Sequence, residues 1–392
     1  MNLLLVLAFV YALTFLIGRV LERYRIPWIF ASLLVGLGLS AYNPFVEYTS
    51  SDTFLFLANL GMYFLLFIIG FEMNIKEIKK QSKFIVSATA ALILAEAFFG
   101  SLFIHYVFGT PWEIAVLVAL SFATVGEAII LPILDEFKLV KTKLGQVILG
   151  VGIMDDLVEV ITLIITVILV GVEAGHSHAS IATTLTALAI LFVLGVGLTK
   201  LKRRTKKIKF HGAGSFFLFS LAFIFLFIGI GLVNDATAAL GAIIAGIALR
   251  NFLPGHRIKQ MESEIRTIAY GFLAPLFFLN VGLETDVYYL IAYPGIVLVL
   301  MLLVNIIKVA TAYLVGRKKL GKKNSVIMGI ALSVKLSTSI VILSILYGIG
   351  IIGVELYSVL IGTQIVFKFV VPALLSYLIP KWKITGALHP GK

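Results

Sequence analysis

Apolar runs of roughly 17 to 25 residues recur from one end of the chain to the other, each long enough to cross a hydrocarbon layer about 30 Å thick as a helix. Short stretches rich in glycine, proline and charge separate them. They divide the sequence into about thirteen spans, ending near Leu21, Tyr42, Phe71, Phe108, Leu134, Val170, Leu201, Val233, Leu249, Leu283, Leu314, Tyr347 and Ile379. The pattern predicts an all-α membrane protein with short connections. Arg19, Glu22, Arg23 and Arg25 follow the first run, and neither a basic region before it nor a small-residue cleavage site is present, so that run reads as a retained helix rather than a signal peptide.

The polar connections alternate in kind. One set holds the basic residues: Arg19 to Arg25, Lys76 to Lys83, Lys138 to Lys143, Lys200 to Lys209, Arg250 to Arg266, Arg317 to Lys323, and Lys381 to Lys392. The other set, including "YNPFVEYTSSDT", "VFGTPWE", "VEAGHSH" and "LETDVYY", holds none. Because basic loops stay in the cytoplasm, the amino terminus is expected outside and the carboxyl terminus inside. A missed or invented span would have scrambled this alternation downstream.

Composition agrees with the pattern. The 392 residues are 60% hydrophobic and 13% charged, and they carry no cysteine. Mean hydropathy is +1.07. The formal charge of +12 follows from topology, so the Lys202 to Lys209 cluster reads as an inside loop and no nucleic-acid partner is expected. Without cysteine there is neither a disulfide nor a thiol nucleophile.

Of the 32 lysines and arginines, only Lys308, Lys335 and Lys368 fall inside apolar spans. Five acids do likewise: Glu96, Glu127, Asp155, Asp156 and Glu159. A charge near the bilayer centre costs at least about 2.5 to 3.5 kcal/mol, so it pairs, lines a wet cavity, or snorkels. Counting about 1.5 Å per residue from the cytoplasmic charges puts Asp155, Glu127, Lys308, Lys335 and Lys368 all near the midplane. Shared depth on separate helices points to a site.

Two spans contain residues a membrane helix does not favour. "SFATVGEA", Ser121 to Ala128, interrupts the fifth span, and "LSVKLSTS", Leu332 to Ser339, interrupts the twelfth. Broken helices expose carbonyls and amides where water is absent, which is tolerated only around a cavity. Paired interruptions in two halves mark a transport site. Being seven spans apart, they run in opposite directions, as an inverted repeat requires. The plainer alternative is serine and threonine packing helices closely.

Neighbouring positions on a helix differ by about 100°, so Asp155 and Asp156 cannot face one partner. One is free to pair with a lysine while the other offers hard oxygen ligands to a small cation, together with carbonyls and hydroxyls of the breaks. Burial disfavours charged forms and pairing favours them, so such a cluster exchanges protons readily. A dyad of the aspartyl-protease kind needs two carboxylates facing one water, which adjacent residues do not provide. His176 and His178 in the outside "GHSH" loop make an incomplete metal site. Glu72 reads as an interfacial structural charge.

The phrases "RYRIPWIFASLLVGLGL", "LGMYFLLFIIGFEMN", "MDD", "PLFFLNVGLETD" and "NIIKVATAY" together resemble the monovalent cation:proton antiporter superfamily, in particular its electrogenic sodium/proton branch with an Asp-Asp motif. The resemblance covers nearly the whole chain. It implies inverted repeats with two broken, crossing helices and a homodimer in the plasma (inner) membrane. Residues 1–83 and 211–287 would be scaffold and dimerisation helices, 84–170 and 288–392 the core, and 171–210 a linker helix with its basic loop. Asp155 would pair with Lys308, and Asp156 would bind the cation and carry the proton, with Na+ held at Asp156 and Thr124 next to Ala123 at the first break. Sodium or lithium would leave as protons enter, by elevator-type alternating access and with net charge movement; the ions are cargo and no cofactor is implied. Departures from the family pattern are Glu127, at a usually apolar position, and Lys335 with Ser337, where relatives carry arginine and glutamate. Glu159 and Lys368 are auxiliary candidates. Potassium/proton exchange, or an uncoupled channel or sensor of the same fold, are the alternatives; a membrane transporter, not an enzyme, is expected.

Overall fold

The computed structural model describes residues 2–24, 26–73, 75–173, 178–201, 213–233, 235–253, 255–335 and 337–384. Among them, regular structure is helical throughout. In chain order the helices are α1 (Leu3–Arg23), α2 (Phe30–Ala41), α3 (Val46–Thr49), α4 (Asp52–Glu72), α5 (Ile75–Ile78), α6 (Lys83–Phe108), α7 (Trp112–Phe122), α8 (Glu127–Glu136), α9 (Lys143–Glu173) and α10 (His178–Leu201). They continue with α11 (Ala213–Gly231), α12 (Asp235–Phe252), α13 (Gly255–Ile268), α14 (Ala274–Glu284), α15 (Val287–Ala292), α16 (Pro294–Gly316), α17 (Lys322–Ala331), α18 (Ser337–Gly348) and α19 (Val354–Lys381). A π-helical turn, Ala269–Leu273, joins α13 to α14.

Helix ends fall close to the expected span ends, and the residues there explain why. Ser51 and Ser82 accept the backbone N–H groups of Phe54 and Ile85, both at 3.3 Å, at the starts of α4 and α6. Gly109, with φ of +64°, ends α6 in the left-handed conformation that a side chain disfavours. Six described helical segments are long and apolar enough to cross a membrane unbroken: Leu3–Arg23, Asp52–Glu72, Lys83–Phe108, Met261–Glu284, Pro294–Gly316 and Val354–Lys381. Large apolar side chains such as Leu4, Phe56, Leu94, Phe192, Leu218 and Ile306 lie more than half exposed, as a lipid-facing surface requires.

The chain forms two compact units. The first comprises residues 1–8, 44–74 and 163–280. Its centre is α12 packed on α4, and α10 and α11 also pack on α12. Ala238, Ala239, Ala242 and Ala245 are buried at this centre. A Cβ on Gly246 would collide with the backbone of Phe67 and Phe71, and one on Gly70 with that of Ile243. With no hydrophobic drive between helices in lipid, such close backbone approach supplies the packing energy. Arg250 donates to the carbonyl of Phe71 at 2.7 Å, and Arg266 pairs with Glu72 at 2.6 Å, which gives Glu72 the structural role expected of it.

The second unit comprises residues 9–43, 75–162 and 281–392. In it α6 packs on α7 and α16, α16 on α17 and α19, and α18 on α7 and α19. Both expected interruptions are present. The fifth span is split into α7 and α8 by unwound chain from Ala123 to Gly126, and the twelfth into α17 and α18 between Ala331 and Ser337. The Lys202 to Lys209 cluster and His176 lie outside the described residues, as does the side chain of His178.

Candidate functional site

The two unwound segments meet. Gly126 N–H donates to the carbonyl of Val334 at 2.7 Å, tying one break to the other. A Cβ at Gly126 would lie 2.9 Å from Val334 Cγ1 and 3.0 Å from the Lys335 carbonyl carbon, so only glycine allows this approach. Unwinding leaves the last carbonyls of α7 and α17 without helical partners, and these form the negative ends of two half-helix dipoles.

Two lysines cap those ends. Lys308, on α16, is fully buried and donates to the carbonyls of Leu332 at 2.8 Å and Ala123 at 3.1 Å. Lys335, in the second break, donates to the carbonyl of Thr124 at 3.2 Å and lies 5.0 Å from the centre of the Phe122 ring. Both ammonium groups then share one acid. Glu96 on α6, 1% exposed, pairs through Oε2 with Lys308 at 3.0 Å and through Oε1 with Lys335. Of the eight charges within the spans, Glu96 is the one to which the sequence assigns no part in the site, although its depth matches: 13 residues separate it from Lys83, about 20 Å of helix.

Asp155 takes a different partner from the one its motif implies. Its Oδ2 accepts the backbone N–H of Val125 at 2.6 Å, just before the start of α8, where the half-helix dipole favours an anion. Asp155 is 1% exposed, and its Oδ1 has no hydrogen-bond partner. Lys308 itself is held by Glu96 and by the carbonyls of Ala123, Thr124 and Leu332, and among the described residues no ion pair between it and Asp155 falls within 4.0 Å, so the pairing expected of the two is not made directly in this structure. The physical reason is geometric. The acid on α6 faces both lysines at once, whereas Asp155 is turned to the backbone of the first break.

The other expected residues fall as follows. Ala123 contributes its carbonyl. Thr124 contributes its carbonyl, and its buried Oγ1 has no hydrogen-bond partner. Asp156 is half-buried on α9, and Glu159 is buried one turn further along the same helix. Glu127 and Ser337 are the first residues of α8 and α18, with side chains outside the described set. Lys368 is elsewhere: its ammonium is buried 4.1 Å from the centre of the Phe30 ring, among Leu21, Ile26, Leu33, Leu34 and Ile365, with no hydrogen-bond partner.

Buried hard oxygens and paired lysines around two broken helices are the equipment of ion transport. A family model described as the transmembrane sodium/hydrogen exchanger matches residues 8–379. The chain belongs to this family. Its members are transporters rather than enzymes, for which Na+ and H+ are cargo and no cofactor is involved, and the chain is accordingly a multi-pass membrane protein. Bacterial and archaeal relatives fit a place in the plasma membrane.

Among the exchanger's relatives is the probable Na(+)/H(+) antiporter 3 of Methanocaldococcus jannaschii, 25% identical over 94% of each chain. The putative Na(+)/H(+) antiporter YjbQ of Bacillus subtilis is 28% identical over 76% of this chain, which spans half of that protein. The glutathione-regulated potassium-efflux system protein KefC of Shigella flexneri is 27% identical over 69% of this chain and 43% of its own length. The solved structure of the sodium proton antiporter MjNhaP1 from M. jannaschii superimposes with a TM-score of 0.63 at 19% identity, covering 97% of this chain and 96% of that one. That likeness concerns the fold.

Proposed function

We propose that the protein exchanges cytoplasmic Na+ (or Li+) for external H+ at the crossing of its two broken spans. The observation that carries this reading is the pair of buried, unpartnered oxygens there, Asp155 Oδ1 and Thr124 Oγ1, beside a half-buried Asp156. Hard carboxylate and hydroxyl oxygens in a low-dielectric setting suit a small hard cation. The same carboxylates take up protons when the cation is absent, so the two cargoes compete for one site. Asp156 is the ion-binding and proton-carrying group, with Asp155 beside it and Na+ between Asp156 and Thr124.

Exchange of two protons for one cation moves one net charge inward and couples transport to the membrane potential, worth about 2.3 kcal/mol per 100 mV. Both broken spans and α9 as far as Thr162 pack within one compact unit, which supports their moving together in an elevator-type motion. The protein works as a homodimer surrounded by lipid, with residues 1–83 and 211–287 as scaffold and residues 84–170 and 288–392 as core.

The test is proton efflux from energised everted vesicles on adding Na+, Li+ or K+, comparing wild type with Asp156→Asn. A sodium or lithium response lost in the variant is expected. No response to any cation between acid and alkaline pH would remove the reading. A potassium-only response would favour the second reading, K+/H+ exchange, which the match to the potassium-efflux relatives keeps in view.

A further inference from the structure

The buried cluster holds two ammonium groups, Lys308 and Lys335, and two carboxylates, Glu96 and Asp155, all 1% exposed or less. Charge alone would allow each lysine its own acid. The structure does otherwise: both lysines sit on Glu96, and Asp155 is left with one backbone N–H and a free Oδ1. That distribution has a consequence for any cation arriving at the crossing. An ammonium on Asp155 would occupy the oxygens the cation needs, since both are monovalent positive charges seeking the same acceptor.

We infer that Glu96 is a positioning residue for transport: it holds the Lys308 ammonium away from Asp155 and so leaves Asp155 Oδ1 open to the cation. The inference rests on the exchange reading above and adds to it a determinant of cation affinity contributed by α6. Lys335 makes the hold adjustable. Because Glu96 keeps Lys335 when Lys308 shifts, its charge is never stranded. Lys308 has the means to move, because its other partners are backbone carbonyls, Ala123 and Thr124 from one break and Leu332 from the other. The acid on α6 thus sets the balance between lysine and cation at Asp155.

The experiment measures sodium-dependent proton flux in proteoliposomes containing the full chain, with KM and kcat separated. Glu96→Gln removes the hold, so the KM for Na+ rises about tenfold while kcat changes far less. Glu96→Asp keeps the charge and stays within about threefold of wild type. Glu96→Gln combined with Lys308→Gln removes the competitor along with its holder, and the KM returns to within about threefold. Glu96→Gln with an unchanged KM overturns the inference, as does a raised KM that the double variant leaves unrelieved, since lost packing would not be repaired by removing a second side chain. Should Glu96→Gln fail to give monodisperse protein, Lys335→Gln reads the same balance from the other side: with Glu96 devoted to Lys308 the KM falls or holds, and a raised KM counts against the proposal. Wild-type protein indifferent to every cation would instead sink the exchange reading itself.

Discussion

Lys308 ends among acceptors drawn from three different stretches: Glu96 of α6, the Ala123 and Thr124 carbonyls after α7 and the Leu332 carbonyl at the end of α17. Removing one member of a buried pair costs about 3 to 5 kcal/mol when the other charge is stranded. Glu96 retains Lys335, so the loss for Lys308→Met belongs at the lower end, and what is lost besides is the cap on two half-helix dipoles. The expected result is a drop of several degrees in the midpoint of thermal unfolding in detergent; an unchanged midpoint would mean that water or another cation caps those carbonyls. Lys308, Lys335, Asp155 and the breaks were legible in the sequence because depth can be counted along a helix from its basic end. The partner of each charge was not. Depth is one coordinate, and pairing also depends on the azimuth of each helix face, which packing between distant segments decides. Glu96 shows the limit: its depth was available, yet nothing in "LILAEAFF" says that it faces both lysines.

At the level of elements, the crossing of the two breaks depends on a missing side chain. Gly126 donates its N–H to Val334, and a methyl there would press on Val334 Cγ1 at 2.9 Å and on the Lys335 carbonyl oxygen at 3.1 Å. The Lys335 backbone cannot yield without moving the ammonium that holds Glu96. Gly126→Ala is therefore expected to lower the exchange rate at least tenfold in vesicles while the protein still inserts and purifies as one species. Gly229→Ala, on a helix surface where a Cβ meets nothing within 4 Å, is the matching control and should leave the rate unchanged. Equal rates for both variants would show that the crossing tolerates separation. The sequence announced both interruptions, because small and hydroxyl residues stand out in an apolar run. That they bond to each other could not be read from it, since Gly126 and Val334 are far apart along the chain.

For the whole molecule, the strongest pattern in the sequence concerns the membrane: all the lysines and arginines outside the spans fall in alternate connections. An inside loop is fixed by those charges during insertion, so the amino terminus is expected outside and the carboxyl terminus in the cytoplasm. The chain lends itself to a direct check, because it contains no cysteine and each introduced thiol is the only one present. Ser51, between α3 and α4, lies in a connection without basic residues, and Lys318, between α16 and α17, in one rich in them. Ser51→Cys should react with a membrane-impermeant maleimide added to intact cells, and Lys318→Cys only after the membrane is opened or in everted vesicles. The reverse pattern would invert the direction of transport assigned here, since cytoplasmic and external faces would exchange places. Labelling of both from one side would mean that the number of crossings between them is even rather than odd. Were the miscount among the spans between the two breaks, these would no longer run in opposite directions, and the inverted repeat expected of them would lose its basis.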